Sequence, residues 1–240
     1  MKNFKTTELR PKVVLGVAAH PDDLDFGASG SMAKWVAEGA DVYYLILTDG
    51  SKGTDDRQLS PAELINTRRE EQKNAGKVLG LAEVLFLDYE DGSLECNYDV
   101  KRDIARVIRQ VKPDVLVTFD PSVIYSASRG FINHPDHRAA GQAALDAAYP
   151  LARDHLSLPE LMAEGLEPHK TSTILLMNFD DANYYVDITG TFDKKCQTLA
   201  EHKSQQMDGE AQKFVKELAL EAGKAMGVDY AEGFVRIELK

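Results

Sequence analysis

Cysteine is scarce in this 240-residue chain: Cys96 and Cys196 are the only two, and they do not form a C-x-x-C pair. This scarcity excludes a disulfide framework and a thiolate zinc site, so a bound metal would need other ligands. Long apolar runs are also missing, because no stretch approaches the roughly 18 residues of a membrane helix. We therefore expect a cytoplasmic protein with two isolated thiols and no membrane partner.

Positive charge is in short supply as well. Lysine and arginine together number 28 against 39 acidic residues, which gives a formal net charge of −11 and a pI near 5. A field of this sign repels phosphates and argues against nonspecific binding to nucleic acid or anionic membranes. The remaining composition, 43% hydrophobic and 28% charged residues, is typical of a soluble globular protein and argues against disorder.

Short apolar runs alternate with longer amphipathic stretches, which is the pattern of βα units on a parallel sheet. Strands are predicted at 12–19, 42–48, 83–88, 114–119, 172–177, 184–188 and 232–238. Helices are predicted at 27–38, 61–79, 98–111, 135–148, 190–203 and 209–226. The stretch 150–170 is rich in proline and is interpreted as an irregular surface excursion. We predict an α/β fold: one domain over 1–240 with a doubly wound, mostly parallel, Rossmann-like sheet and helices on both faces.

Two short clusters combine side chains that bind metals or transfer protons. The first is AHPDD at 19–23, directly after the first predicted strand, and the second is HPDH at 134–137. Ligands of such sheets bind beyond the carboxyl ends of the strands, so we expect both clusters at one rim. A single His-Pro-Asp often only caps a helix, because an acidic side chain satisfies the free amides there. Two histidine-containing clusters at one rim are harder to explain as caps, and they indicate a metal-dependent hydrolase.

The spacing of these residues fits a catalytic metal centre. His20 and Asp23 are three positions apart, so in a helical turn both side chains can aim at one point. Catalytic zinc keeps three protein ligands and an open position, which His20, Asp23 and one of the two later histidines would provide. Asp22 is then left as a general base. The remaining histidine, if protonated, would stabilise an oxyanion or protonate a leaving nitrogen, and Asp136 would hold it charged.

The two clusters resemble the paired motifs of the PIG-L / LmbE-like family, zinc-dependent de-N-acetylases of N-acetylglucosamine conjugates. The likeness extends to LTDG at 47–50, TRREE at 67–71 and YAEGF at 230–234, and so spans most of the chain. The resemblance implies hydrolysis of an acetamide, which releases acetate and a free amine. It also implies a small-molecule amino-sugar conjugate as the partner, and it suggests a homo-oligomer.

The resemblance further implies a role for each matching residue. The zinc ligands would be His20, Asp23 and His137. The catalytic side chains would be Asp22 as the base and His134, supported by Asp136, as the electrostatic or acid partner. The sugar would be contacted by Arg68 and Asp91.

Two departures from the family pattern affect the expected substrate. Leu24 stands where the family usually has glutamate, and Ser51 stands where it often has glutamate. The first change alters packing near the site, and the second weakens the case for N-acetylglucosamine itself. The alternatives are therefore an amidase for a non-sugar acetylated conjugate and a catalytically idle, metal-containing carbohydrate-binding protein. Fe²⁺ or Co²⁺ could occupy the same ligands as zinc.

Overall fold

Nine strands are present in the computed structural model, which describes residues 8–240. They are β1 (Val13–Ala18), β2 (Asp41–Thr48), β3 (Glu83–Tyr89), β4 (Val115–Phe119), β5 (Tyr125–Ser126), β6 (Phe131–Ile132), β7 (Thr173–Met177), β8 (Tyr184–Asp187) and β9 (Ala231–Glu238). Seven of them form one sheet in the order β3-β2-β1-β4-β7-β9-β8. The first five of these are parallel, and β9 runs antiparallel between β7 and β8.

Helices cover both faces of this sheet. They are α1 (Asp23–Ala37), α2 (Pro61–Leu79), α3 (Tyr98–Val111), α4 (Pro135–Asp146), α5 (Pro159–Ala163), α6 (Phe192–Leu199) and α7 (Glu210–Met226). A π turn follows α4 at Ala147–Leu151, and a 3₁₀ turn lies at Lys203–Gln205. Within residues 8–240, none of the helices has both the length and the apolar character needed to cross a bilayer.

The sheet separates two apolar cores, which is why its strands are apolar on both faces. Trp35 of α1 lies in one core together with Val14 of β1, whereas Leu15 of β1 lies in the other with Ile104 of α3. The predicted α/β class, with a mostly parallel sheet wound on both faces, is confirmed. The antiparallel pair β8 and β9 occupies one end of the sheet.

The helix predicted at 27–38 begins earlier, at Asp23. Asp22 is in the left-handed region with φ 96°, and its carbonyl accepts a hydrogen bond from the amide of Phe26. The chain therefore turns from strand to helix within the first cluster, which places Asp23 in the first helical turn.

The helix predicted at 190–203 ends at Leu199. After the helix, the chain is held against α2, where Glu71 accepts hydrogen bonds from the amide and hydroxyl of Ser204 at 2.8 and 2.7 Å. A short hairpin, β5–β6, also forms where no strand was predicted.

The stretch 150–170 contains the short helix α5 and is held against α3 by one buried arginine. Arg109 is 1% exposed, and its guanidinium donates hydrogen bonds to four backbone carbonyls of this stretch. Leu158 and Leu161 are fully buried in the core beneath it. The backbone of the stretch is irregular, but both polar and apolar contacts fix its position.

Helix α4, which carries the second cluster, approaches β4 closely at Gly141. A Cβ atom there would lie 2.5 Å from the carbonyl oxygen of Phe119.

Alanine normally favours a helix over glycine, so without this contact Gly141→Ala would be stabilising. We expect instead that Gly141→Ala costs about 1–3 kcal/mol, because the backbone must move. Thermal unfolding should show a melting temperature lower by about 2–12 °C. The exposed neighbour Gln142→Ala is the control, and equal melting temperatures for the two variants would contradict this packing.

Candidate metal and catalytic centre

The two clusters meet at the carboxyl edge of the sheet. His20 Nδ1 lies 3.3 Å from His137 Nε2. The carboxylate of Asp23 reaches both, with Oδ1 3.1 Å from His137 Nε2 and Oδ2 3.5 Å from His20 Nδ1. Three ligands of a tetrahedral zinc ion with bonds of about 2.0–2.1 Å lie roughly 3.3–3.4 Å from one another. The spacing of these three side chains therefore fits a single divalent cation.

Hydrogen bonds on the far side of each ring set the orientation of the two histidines. His20 Nε2 lies 3.1 Å from Asp91 Oδ1 and 3.3 Å from Asp136 Oδ2, so this nitrogen carries the proton. His137 Nδ1 likewise lies 3.1 Å from the side-chain oxygen of Asn133. The other nitrogens of the two rings, Nδ1 of His20 and Nε2 of His137, then face each other. Two lone pairs at this distance repel, so a proton or a metal cation must lie between these nitrogens, and rings oriented by outer hydrogen bonds in this way are typical of metal-ligating histidines.

Charges around His20 favour a cation strongly. Burial opposes its protonation, but the charge of Asp23 and hydrogen bonds to Asp136, Asp23 and Asp91 raise the pKa of His20 to about 12. The pKa of Asp23 is held far below its ordinary value by His137 and His20, although burial acts in the opposite direction. The raised pKa of His20 reflects the negative charge of the carboxylates around it, and that charge suits a divalent ion.

Two other sets of side chains are close enough to hold an ion. The ligand atoms of His20, His134 and His137 lie within 4.8 Å of one another, as do those of His20, Asp91 and Asp136. The first set contains three imidazoles and no carboxylate. The second would use the opposite nitrogen of His20. The set with Asp23 combines two imidazoles with one carboxylate at distances of 3.1–3.5 Å, and it joins the two clusters.

Asp22 lies beside this centre in a strained conformation. Its φ of 96° is unusual for a residue with a Cβ atom and costs about 1–3 kcal/mol. The side chain is 6% exposed, and burial raises the pKa of Asp22 to about 6, although the nearby Arg68 acts to lower it. A carboxylate with a raised pKa beside this candidate metal centre is suited to accept a proton at neutral pH.

Arg68 and Asp91, expected to contact a sugar, are turned towards the protein. Arg68 is 5% exposed and donates hydrogen bonds to Asp22 Oδ2 at 3.2 Å and to the carbonyl of Pro21 at 2.9 Å. Its other amino group binds the carbonyls of the loop after β2. Asp91 accepts hydrogen bonds from His20 and from the amide of Lys52. These contacts orient Asp22 and His20.

The arrangement of Asp136 also differs from the expected one. Its carboxylate accepts hydrogen bonds from His20 and from the amides of Gly92 and Leu94, and these contacts fix its position. The backbone amide of Asp136 donates to His134 Nδ1 at 3.2 Å. His134 is therefore neutral with its proton on Nε2. Partial burial and the neighbouring His20 and His137 also lower the pKa of His134.

A cavity of about 410 Å³ opens in front of the centre. Its polar end contains Asp22, Asp23, His134 and His137. Beyond them its walls are mainly apolar, and they include Phe26, Phe119, Phe131, Met177, Phe179 and Phe214. The ring of Phe119 stacks on His137 with centroids 4.1 Å apart. The cavity is large enough for a small conjugate.

Comparison with known proteins assigns the family. The family model described as PIG-L, GlcNAc-PI de-N-acetylase, matches residues 15–148, a range that includes both clusters. The chain belongs to the PIG-L family. A similar curated relative is the diacetylchitobiose deacetylase of Thermococcus kodakarensis, which is 34% identical over 92% of this chain and 82% of its own length.

Two solved structures illustrate the shared fold. An N,N'-diacetylchitobiose deacetylase from Pyrococcus horikoshii, solved with an inhibitor, is 31% identical, with a TM-score of 0.88 over 95% of this chain and 84% of its own. A 4-carboxy-2-hydroxymuconate hydratase from Pseudomonas putida, 22% identical, has a TM-score of 0.77 over 95% of this chain and 97% of its own. The second likeness concerns the fold alone, so the chemistry must be argued from the site.

Sequence reasoning missed two side chains that support the centre. Asn133 orients His137 and donates to the carbonyl of Val123 at 2.8 Å. Its position four residues before His137 is the available signal, since that spacing brings side chains together at the start of a helix. Gln72 accepts a hydrogen bond from the amide of Asp22 at 2.8 Å. Nothing local indicates this contact, because fifty positions separate the two residues.

Proposed function

We propose that this PIG-L protein is a metal-dependent N-deacetylase that removes the acetyl group of an N-acetylglucosamine-type conjugate. One observation carries the proposal: the facing nitrogens of His20 and His137 and the carboxylate of Asp23 surround one point, and Asp22 lies beside it. A divalent cation held by these three residues would polarise an amide carbonyl and make a water molecule more acidic. We propose zinc as the resident ion.

The remaining residues supply the proton transfers. Asp22 accepts a proton from the water that attacks the carbonyl carbon. The Nε2–H of His134 donates a hydrogen bond to the carbonyl oxygen as negative charge develops there. When the C–N bond breaks, the proton held by Asp22 passes to the leaving nitrogen, which gives acetate and a free amine. Arg68 keeps the carboxylate of Asp22 aimed at the reacting atoms.

The substrate class rests on the relatives and the cavity. Two of the relatives are named as diacetylchitobiose deacetylases, so we propose a short N-acetylglucosamine saccharide or conjugate. Leu24 does not reach the cavity, because it is fully buried beside Gly16 of β1. Ser51 lies in the loop after β2. Its backbone amide donates a hydrogen bond to the carboxylate of Asp49 at 2.9 Å. Neither Leu24 nor Ser51 lines the cavity, so neither departure argues against a saccharide.

Mass spectrometry of an acetylated panel tests the proposal. The zinc-loaded protein would be incubated with N-acetylglucosamine, N,N'-diacetylchitobiose and acetylated amino-acid and thiol conjugates. We expect loss of one acetyl group from the saccharides, no loss with a chelator, and recovery when zinc is restored. Turnover of only the non-sugar members would instead support the alternative amidase. The binding-protein alternative would be supported if no member of the panel is hydrolysed and Asp22→Asn binds the saccharides as tightly as the wild type.

A further inference from the structure

We infer that Gln72, Asp25 and His202 act together as positioning residues for the proposed base, Asp22. The three side chains form a buried chain of hydrogen bonds that ends on the backbone amide of Asp22; we name it the Asp22 clamp. The inference rests on the proposed function. It adds a role for three residues that lie outside the proposed ligand set and do not line the cavity.

The clamp stabilises an unfavourable backbone conformation at Asp22. Asp22 has φ 96°, which the backbone of a residue with a Cβ atom rarely adopts. Its amide is buried and donates to Gln72 Oε1 at 2.8 Å. Loss of this acceptor would leave a buried amide unpaired, and the peptide would then turn to find another partner. The position of the Asp22 carboxylate would change with it.

The rest of the clamp fixes the orientation of the Gln72 amide. Gln72 Nε2 donates to Asp25 Oδ2 at 2.8 Å, so the Gln72 oxygen must face Asp22. His202 Nε2 lies 2.7 Å from the same Asp25 oxygen. Gln72 and Asp25 are fully buried, and His202 is 1% exposed. Within the described residues, His202 Nδ1 has no hydrogen-bond partner, so Asp25 is the one polar contact of this ring.

The clamp connects distant parts of the chain. Asp25 lies in α1, Gln72 lies in α2, and His202 precedes the 3₁₀ turn, well beyond the 15–148 range of the family model. A second contact joins the same two regions, because Ser204 binds Glu71 of α2. The hydrogen bonds from His202 through Asp25 and Gln72 lead to Asp22, whereas the contact between Ser204 and Glu71 is separate from them. Ser204→Ala is therefore a matched control that weakens the attachment of this turn without breaking the clamp.

Arg68 and the clamp act on different parts of Asp22. Arg68 contacts its carboxylate, whereas the clamp contacts its amide. Displacement of a base by about 1 Å costs up to roughly 100-fold in rate. A base acts in the transition state, so its displacement lowers kcat with little effect on KM. A purely structural role would instead lower the stability and the amount of active enzyme.

The test compares Gln72→Met and His202→Leu with Ser204→Ala, all loaded with zinc. We expect kcat for N,N'-diacetylchitobiose to fall about 10- to 100-fold in the first two, with KM within about twofold and zinc content unchanged. Ser204→Ala should keep kcat within about threefold. His202→Gln places an amide donor near the position of Nε2 and should restore kcat to within about threefold of wild type.

A second readout does not depend on activity. Amide hydrogen exchange should show strong protection of the Asp22 amide in the wild type and in Ser204→Ala, and loss of that protection in Gln72→Met. Unchanged kcat and unchanged protection in Gln72→Met would overturn the clamp, as would an equal loss of kcat in His202→Gln and His202→Leu. If the wild type hydrolyses no amide, the proposed function fails, and the exchange result alone decides whether the clamp exists.

Discussion

Asp22→Asn is expected to lower kcat for amide hydrolysis by about 10²- to 10⁴-fold, the usual contribution of a general base. The substitution keeps the size of the side chain and an oxygen that can accept the hydrogen bond from Arg68. It removes the ability to take a proton from water. Because the three proposed ligands are untouched, bound metal should stay near the wild-type amount.

Steady-state kinetics and metal analysis on the same samples check this result. Asp114→Asn is a suitable control, because Asp114 precedes β4 at the opposite edge of the sheet and accepts hydrogen bonds from the amides of Lys12 and Val13. It should retain wild-type kcat. Substantial turnover by zinc-loaded Asp22→Asn would show that another group takes the proton.

His20→Ala and His137→Ala should each lose the metal and, with it, the activity. Each removes one of three proposed ligands, so we expect metal affinity to fall by more than about 100-fold, beyond the usual effect of an outer-shell change. Asn133→Ala removes only the hydrogen bond that orients His137 and should cost about 10- to 100-fold. His134→Ala should keep the metal and lose rate, because its Nε2–H acts on the carbonyl oxygen.

Competition with a chelator, followed by elemental analysis, ranks these four variants by affinity. The order expected is His134→Ala near wild type, then Asn133→Ala, and last the two ligand variants. Full metal content in both His20→Ala and His137→Ala would rule out the ligand set. Metal loss in His134→Ala, with metal retained when Asp23 is replaced by alanine, would favour the three-histidine alternative.

The sequence was sufficient to predict the elements whose pattern is local. Continuous apolar runs predicted the parallel strands because both faces of this sheet are covered, and the ends of α2 followed from local signals. Ser60 forms a capping box with Glu63, and Gly80 ends the helix with φ 84°. The convergence of His20 and His137 followed from the edge rule for parallel sheets, which depends on topology and not on side-chain detail.

The partners of the polar side chains could not be predicted in the same way. Asp136 is adjacent to the histidines in sequence, yet the start of α4 turns its carboxylate to His20 and to the loop after β3. Arg68 was expected to face a ligand, but burial of its guanidinium requires carbonyl and carboxylate partners within the protein. His202 meets Asp25 across 177 positions. Such pairings depend on how the helices pack, and no local sequence pattern predicts them.

Anomalous diffraction at the zinc edge, from crystals of the zinc-loaded protein, would test most directly whether one ion joins the two clusters. The result expected is a single strong peak about 2.0–2.2 Å from His20 Nδ1, His137 Nε2 and an oxygen of Asp23. A peak on the other side of the His20 ring, bound to Nε2 with Asp91 and Asp136, would contradict the proposed centre and the chemistry built on it.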